Sequence, residues 1–317
     1  PKSSLRSLRP LRLSKIQTRF APLRFSVFAL EDRMFVFLNG RIVPEEQAVV
    51  SVFDRSFLYG DGLFETMLVR NGKPFRWEQH LERLSAGAAF LGIRLPFSSD
   101  DLRAAAAKLI EQNQQLNALL RLTLSRGVGP RGYSPKGADQ PCLVMSVHPF
   151  VVPETEKDAP RWKLIVASPR LPANEPLAHF KTCNKLTQIL ARAEADRAGA
   201  DEALLLNTDG FVVEGSSSNF FWIEGDTLCT PPLASGILAG VTRAAILDIC
   251  ESLRISVEEK NILPAQLKNA SGMFLSLSSW GVVEAASLDG LDCCTSPLIP
   301  RLQKAYRELV DSECGKA

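Results

Sequence analysis

Phe180-Lys181-Thr182-Cys183-Asn184, Glu214-Gly215-Ser216-Ser217-Ser218-Asn219 and Gly236-Ile237-Leu238-Ala239-Gly240-Val241-Thr242-Arg243 all fall within residues 180–243. The first piece sets a lysine between a predicted strand and a helix expected over 186–197. The second puts a carboxylate at the end of the apolar run Phe211-Val212-Val213, directly before small residues. The third spaces two glycines ahead of a helix expected over 242–253. The first backbone N–H groups of such a helix have no partner inside it.

The pattern on both sides of this stretch mixes helices with strands that pair as hairpins. Residues 35–38 and 41–43 read as strands around the two-residue turn Asn39-Gly40. A strand is expected over 64–70. A helix over 77–93 carries Leu81, Leu84, Ala88 and Leu91 on one face, with Arg83 beside that stripe. Ser98 or Ser99 can cap a second helix over 102–112, with Asp100 and Asp101 in its favourable first turn. Strands follow over 119–125, 142–147 and 163–167, a hairpin over 203–214, and strands over 219–223 and 273–277. A helix over 299–310 ends the pattern. This predicts an α+β class with two lobes. A small N-terminal domain (34–150) and a larger C-terminal domain (162–317) are joined by a Pro-rich, charged linker at 151–161.

With 45% hydrophobic and 23% charged residues, the 317-residue chain is long enough for two cores. Residues 1–33 hold eight basic and two acidic side chains, which leaves 29 basic against 33 acidic in the remainder. A nucleic-acid role therefore has no support outside the tail. The tail itself reads as an extension ahead of a start at Met34, or as an organelle transit peptide. No apolar run approaches the roughly 20 residues of a membrane helix. The seven cysteines show no Cys-x-x-Cys spacing, so neither zinc nor a disulfide framework is indicated, and a reducing cytoplasm is the expected setting. The three histidines lie far apart, suggest no metal site, and His80 reads as a helix-surface residue.

The chemistry-bearing groups fit pyridoxal phosphate. A partly desolvated lysine such as Lys181 attacks aldehydes. A carboxylate such as Glu214 keeps a pyridine nitrogen protonated, and a glycine-spaced turn before a helix suits a phosphate. Arg83 adds a charge-assisted phosphate contact. Each signal is weak alone, because an isolated lysine or strand-end glutamate is usually solvated.

Their order and spacing resemble the class IV aminotransferase family, the fold-type IV pyridoxal-phosphate enzymes. The resemblance rests on Tyr59-Gly60-Asp61-Gly62-Leu63-Phe64-Glu65-Thr66, His80-Leu81-Glu82-Arg83-Leu84, Lys181-Thr182-Cys183-Asn184, Glu214-Gly215-Ser216-Ser217-Ser218-Asn219 and Thr230-Pro231-Pro232. It covers nearly everything from Met34 to the C-terminal helix. It implies that Lys181 is the Schiff-base lysine and proton shuttle, and that Glu214 partners the pyridine nitrogen. Arg83, Val241, Thr242 and Ser278 or Ser279 would hold phosphate, with Leu238 against the cofactor ring. It also implies homodimers with active sites near the interface and the cofactor between the lobes.

Three branches compete. Branched-chain aminotransferases usually read Phe-Glu-Gly where this chain has Phe64-Glu65-Thr66, and carry a tyrosine where it has Lys185-Leu186. D-amino-acid aminotransferases hold the substrate carboxylate with Arg-x-His, replaced here by Arg131-Gly132-Tyr133, and have a tyrosine at Phe64. The run from Arg126-Gly127-Val128-Gly129-Pro130 to Arg131-Gly132-Tyr133-Ser134 looks most like aminodeoxychorismate lyases. The first expectation is therefore a lyase forming 4-aminobenzoate and pyruvate, with Phe64, Arg131 and Tyr133 facing the substrate. An amino-acid transaminase is the alternative, and a non-catalytic cofactor-binding protein the remote one.

Overall fold

Asn39 and Gly40 both take positive φ, 48° and 90°. That conformation closes β1 (Phe35–Leu38) and β2 (Arg41–Pro44) into the tight hairpin this dipeptide favours. The computed structural model describes residues 34–151 and 159–315. The expectations for residues 1–33 and for most of the 151–161 linker lie outside these.

The hairpin begins a six-stranded antiparallel sheet. Its other strands are β3 (Gly62–Arg70), β4 (Lys73–Pro74), β5 (Ala118–Ser125) and β6 (Cys142–Pro149), in the order β2-β1-β6-β5-β3-β4. In β5, Ala118, Leu120, Leu122 and Leu124 are fully buried while Leu119, Arg121 and Thr123 are only half so. The alternation assigns one face to the core and frees the other. The core face packs against α2 (Trp77–Leu91) and α3 (Ser99–Gln112). Short α1 (Arg55–Tyr59) precedes β3. α3 starts three residues earlier than expected, because the Ser98 side chain accepts the Asp101 N–H and caps it there.

The second sheet comprises β7 (Arg161–Leu171), β8 (Glu202–Asn207), β9 (Val212–Gly215), β10 (Asn219–Glu224), β11 (Thr227–Thr230), β12 (Val257–Glu259), β13 (Gly272–Leu277), β14 (Gly281–Leu288) and β15 (Leu291–Asp292). β7 runs parallel to both β8 and β14; β9 pairs with β8 and, through Glu214 opposite Asn219, with β10. That last pair closes β10-β13-β14-β7-β8-β9 into a ring, and it joins two residues of the quoted motif. α4 (Leu186–Ala198) packs on β7 and β8, while α5 (Val241–Ser252) packs on β13 and α6 (Leu298–Cys314) on β14.

The pattern did not predict α1, β4, β11, β12, β14 or β15. β14, Gly-Val-Val-Glu-Ala-Ala-Ser-Leu, lacks a β-branched majority and is held mainly by neighbours on both sides. The two sheets share a core in which Leu68 and Phe75 join Phe221, Ile246, Phe274 and Tyr306. Among the described residues no helix is long and apolar enough to cross a membrane.

Candidate active site

Lys181 is fixed by its backbone. Its carbonyl accepts the Phe64 N–H at 2.9 Å, and the Cys183 N–H reaches the Gly62 carbonyl at 2.9 Å. The lysine segment is thus bridged, at Thr182 opposite Leu63, to β3, the strand that supplies Phe64 and Thr66. The ammonium stands 4.9 Å from the centre of the Phe64 ring. Burial first, then the Arg83 charge, lowers its pKa from 10.5 to about 8.

A cavity of about 430 Å³ opens here. Phe64, Thr66, Arg83, Lys181, Glu214, Leu238, Val241, Thr242 and Ser278 all line it. The structure therefore brings together every expected site residue except Arg131 and Tyr133. Those two stay outside the cavity of their own chain. Buried Arg55 donates to the carbonyls of Gly132, Tyr133 and Ser134, which holds the loop with Tyr133 87% exposed and edge-on to Tyr59.

Glu214 is buried, and one carboxylate oxygen accepts the Leu238 N–H at 2.9 Å. Burial raises its pKa to about 6, against the pull of that N–H and of Lys185 and Lys181. A buried carboxylate with raised proton affinity suits a partner that brings its own N–H⁺. Asn219 donates to the Leu238 carbonyl at 2.9 Å, so the ring-closing pair grips Leu238 from both sides. Beneath them the buried Glu202 carboxylate accepts from the Ser216 and Ser217 amides and from the hydroxyls of Ser216, Ser217 and Ser218. This fixes the small-residue turn.

α5 starts at the cavity, and its N-cap Gly240 has no side chain to satisfy the first-turn amides. A Cβ on Gly240 would lie 1.9 Å from Asn219 Oδ1, so any side chain there must displace Asn219. Ser276, also lining the cavity, is buried with no hydrogen-bond partner for its hydroxyl. An orphaned hydroxyl beside free helix amides fits a phosphate. Arg83 lines the cavity and also has partners within the protein. Nε and one terminal nitrogen donate to Glu65 at 2.8 and 2.6 Å, and the other donates to the Ala239 carbonyl at 2.8 Å.

The reading of His80 as a surface residue is corrected. It is 2% exposed, and Nδ1 donates to Glu65 at 2.7 Å. Burial would raise the Glu65 pKa, but the Arg83 charge and the hydrogen bonds from His80 and Arg83 hold it down at about 2. The spacing of His80 and Arg83 puts both on one face of α2, and strand alternation turns Glu65 toward that helix. These two periodicities contained the signal. Ser276 also lines the cavity with nothing local to mark it, and Lys185, which the sequence marked only as a departure from the branched-chain pattern, lines it too.

The sequence profile of the class IV amino-transferase family matches residues 62–288. This chain is a class IV aminotransferase-family protein. A putative branched-chain-amino-acid aminotransferase of Methanocaldococcus jannaschii is 34% identical over 81% of this chain and 88% of its own. A D-alanine aminotransferase of Bacillus licheniformis is 30% identical, covering 89% and 99%. An aminodeoxychorismate lyase of Bacillus subtilis is 29% identical, covering 89% and 98%. Among solved structures, a T.th. branched-chain amino acid aminotransferase with pyridoxamine 5'-phosphate superposes with TM-score 0.82. It is 27% identical and the match covers 87% of this chain and 93% of that one. The class IV protein described here is accordingly a pyridoxal-phosphate-dependent enzyme of the fold-type IV architecture, which sets aside the non-catalytic reading.

Proposed function

We propose that this class IV enzyme is a 4-amino-4-deoxychorismate lyase, which removes pyruvate from its substrate and leaves 4-aminobenzoate. The pairing of Thr66 with Arg121 carries the reading. They stand directly opposite on β3 and β5, so they share the sheet face that presents Phe64 and Leu119 to the cavity. Arg121 is half-buried, 4.0 Å from the centre of the Phe64 ring, and has no ion-pair partner among the described residues. A guanidinium in that position calls for an anion, and a substrate carboxylate supplies one. Thr66 sets a hydroxyl and a methyl in the cavity wall where the branched-chain pattern has glycine. It takes space from an aliphatic side chain and offers a donor to a departing oxygen.

Bound pyridoxal phosphate supplies the electron sink that acidifies the C–H bond beside the substrate's amine nitrogen. Arg83, Ser276, Ser278 and the first-turn amides of Val241 and Thr242 would hold its phosphate. Leu238 would pack on its ring and Glu214 would keep its pyridine nitrogen protonated. Lys181 Nζ takes the proton from C4 of the substrate. The C3–O bond breaks, the enolpyruvate is protonated to pyruvate, and the ring becomes aromatic. No oxidant or amino acceptor is consumed. Arg131 and Tyr133 serve a second copy of the chain in a homodimer, which their exposure outside their own cavity supports.

The test is a coupled assay of the holoenzyme with 4-amino-4-deoxychorismate and no 2-oxo acid. Stoichiometric pyruvate and 4-aminobenzoate are expected, and Thr66→Gly should lower kcat/KM about a hundredfold. Turnover only with an L- or D-amino acid plus 2-oxoglutarate would make it a transaminase instead.

A further inference from the structure

α4 borders the cavity with one stripe. Lys185, Gln188, Ile189 and Arg192 all line it, at the spacing of a single helix face running back to the N-cap. Three of the four are polar, and two are cations. Their engagements differ. Arg192 is bonded to Asp196 at 2.9 Å, and the nearby Arg83 is bonded to Glu65. The Lys185 ammonium has no hydrogen-bond or ion-pair partner among the described residues, although the residue is half-buried. Burial lowers its pKa, while Glu214 pulls it back up. A part-desolvated ammonium without a counter-ion, at the start of a helix and beside a free side-chain amide, is built for an anion.

We infer that Lys185, with the Gln188 amide beside it, seats a substrate carboxylate remote from the reacting amine. The enzyme thereby selects dicarboxylates. The inference rests on the lyase reading for its substrate: 4-amino-4-deoxychorismate carries one carboxylate on its ring and one on its enolpyruvyl group. Arg121 on β5 takes one and Lys185 on α4 the other. Lys185 is thus a specificity-determining residue, distinct from Lys181, which moves the proton.

Titration calorimetry of the holoenzyme with chorismate tests this, since chorismate has both carboxylates and a hydroxyl in place of the amine. Benzoate is the monocarboxylate control. Lys185→Met should weaken chorismate about tenfold to a hundredfold, the range of a lost charge-assisted hydrogen bond, and benzoate by less than about threefold. Lys185→Arg should recover most of the affinity, and Gln188→Ala should lose a few-fold. Cofactor absorbance in each variant reports an intact site, and Lys185→Gln replaces the methionine variant if that absorbance is lost. Unchanged chorismate affinity, or equal weakening of chorismate and benzoate, overturns the inference. If the wild type releases no pyruvate but transaminates, the lyase reading fails and Lys185 is judged on acceptors. A KM increase for 2-oxoglutarate but not for pyruvate supports it, and equal changes overturn it.

Discussion

At Lys181 the decisive quantity is the fraction of neutral amine. Its ammonium loses a proton near pH 8 in the folded protein against 10.5 for a solvated lysine, because burial and then Arg83 oppose the charge. The protonated form, which dominates below that point, is not a nucleophile. Capture of pyridoxal phosphate by the apoprotein should therefore accelerate about tenfold per pH unit up to about pH 8 and level off above it. Stopped-flow absorbance measures this directly, and a rate still climbing at about pH 10 would mean an ordinary lysine. Lys181→Ala should abolish the bound chromophore. At the same scale, Glu65 shows why His80 was misread. His80 lies on a helix with a clear apolar stripe, and its partner is a carboxylate 15 residues earlier on another element. Strand alternation makes Glu65 visible as an odd inward charge, but it does not say which helix covers it.

Among the elements, α5 and the turn ahead of it carry the phosphate proposal. Gly236 holds φ at 93°, which only glycine adopts freely, and a Cβ there would also lie 2.6 Å from the Pro172 carbonyl. Gly240 is constrained by space. In Gly240→Ala the new methyl must displace Asn219, which then releases the Leu238 carbonyl and loosens the Leu238 contact to Glu214. The expected outcome is cofactor affinity at least about tenfold weaker in an equilibrium titration, with stability reduced by about 1–3 kcal/mol. Wild-type affinity in this variant would remove α5 from the phosphate site. The glycine spacing before α5 was legible because it is local. β14 was not, since its place between β13 and β7 follows from burial on both sides.

For the whole molecule, the exposed apolar surface is informative. Val49, Val52, Phe53 and Phe57 are 74%, 62%, 66% and 74% exposed and cluster in sequence around the loop-holding Arg55, just before β3. Apolar exposure on that scale suits a subunit contact. The homodimer proposal therefore predicts that the wild type sediments as a dimer. Phe57→Asp should give monomers that keep cofactor absorbance and lose at least about 90% of turnover, the remainder following the residual dimer. Sedimentation velocity alongside the pyruvate assay decides it; a fully active wild-type monomer would end the proposal.

The sequence by itself determined the α+β class, most helices and strands, the cofactor, and nearly all the residues that line the cavity. Those readings depend on periodicity, turn chemistry and short motifs, which act over a few residues. Only the tertiary structure decided that Thr66 faces Arg121, that Glu65 joins His80 to Arg83, and that Ser276 and Lys185 reach the cavity unpartnered. It also decided that Arg131 and Tyr133 do not reach the cavity of their own chain. Such neighbours are set by strand register and by the packing of one sheet against the other. Those arise from many weak contacts between residues far apart in the chain, and no short motif encodes them.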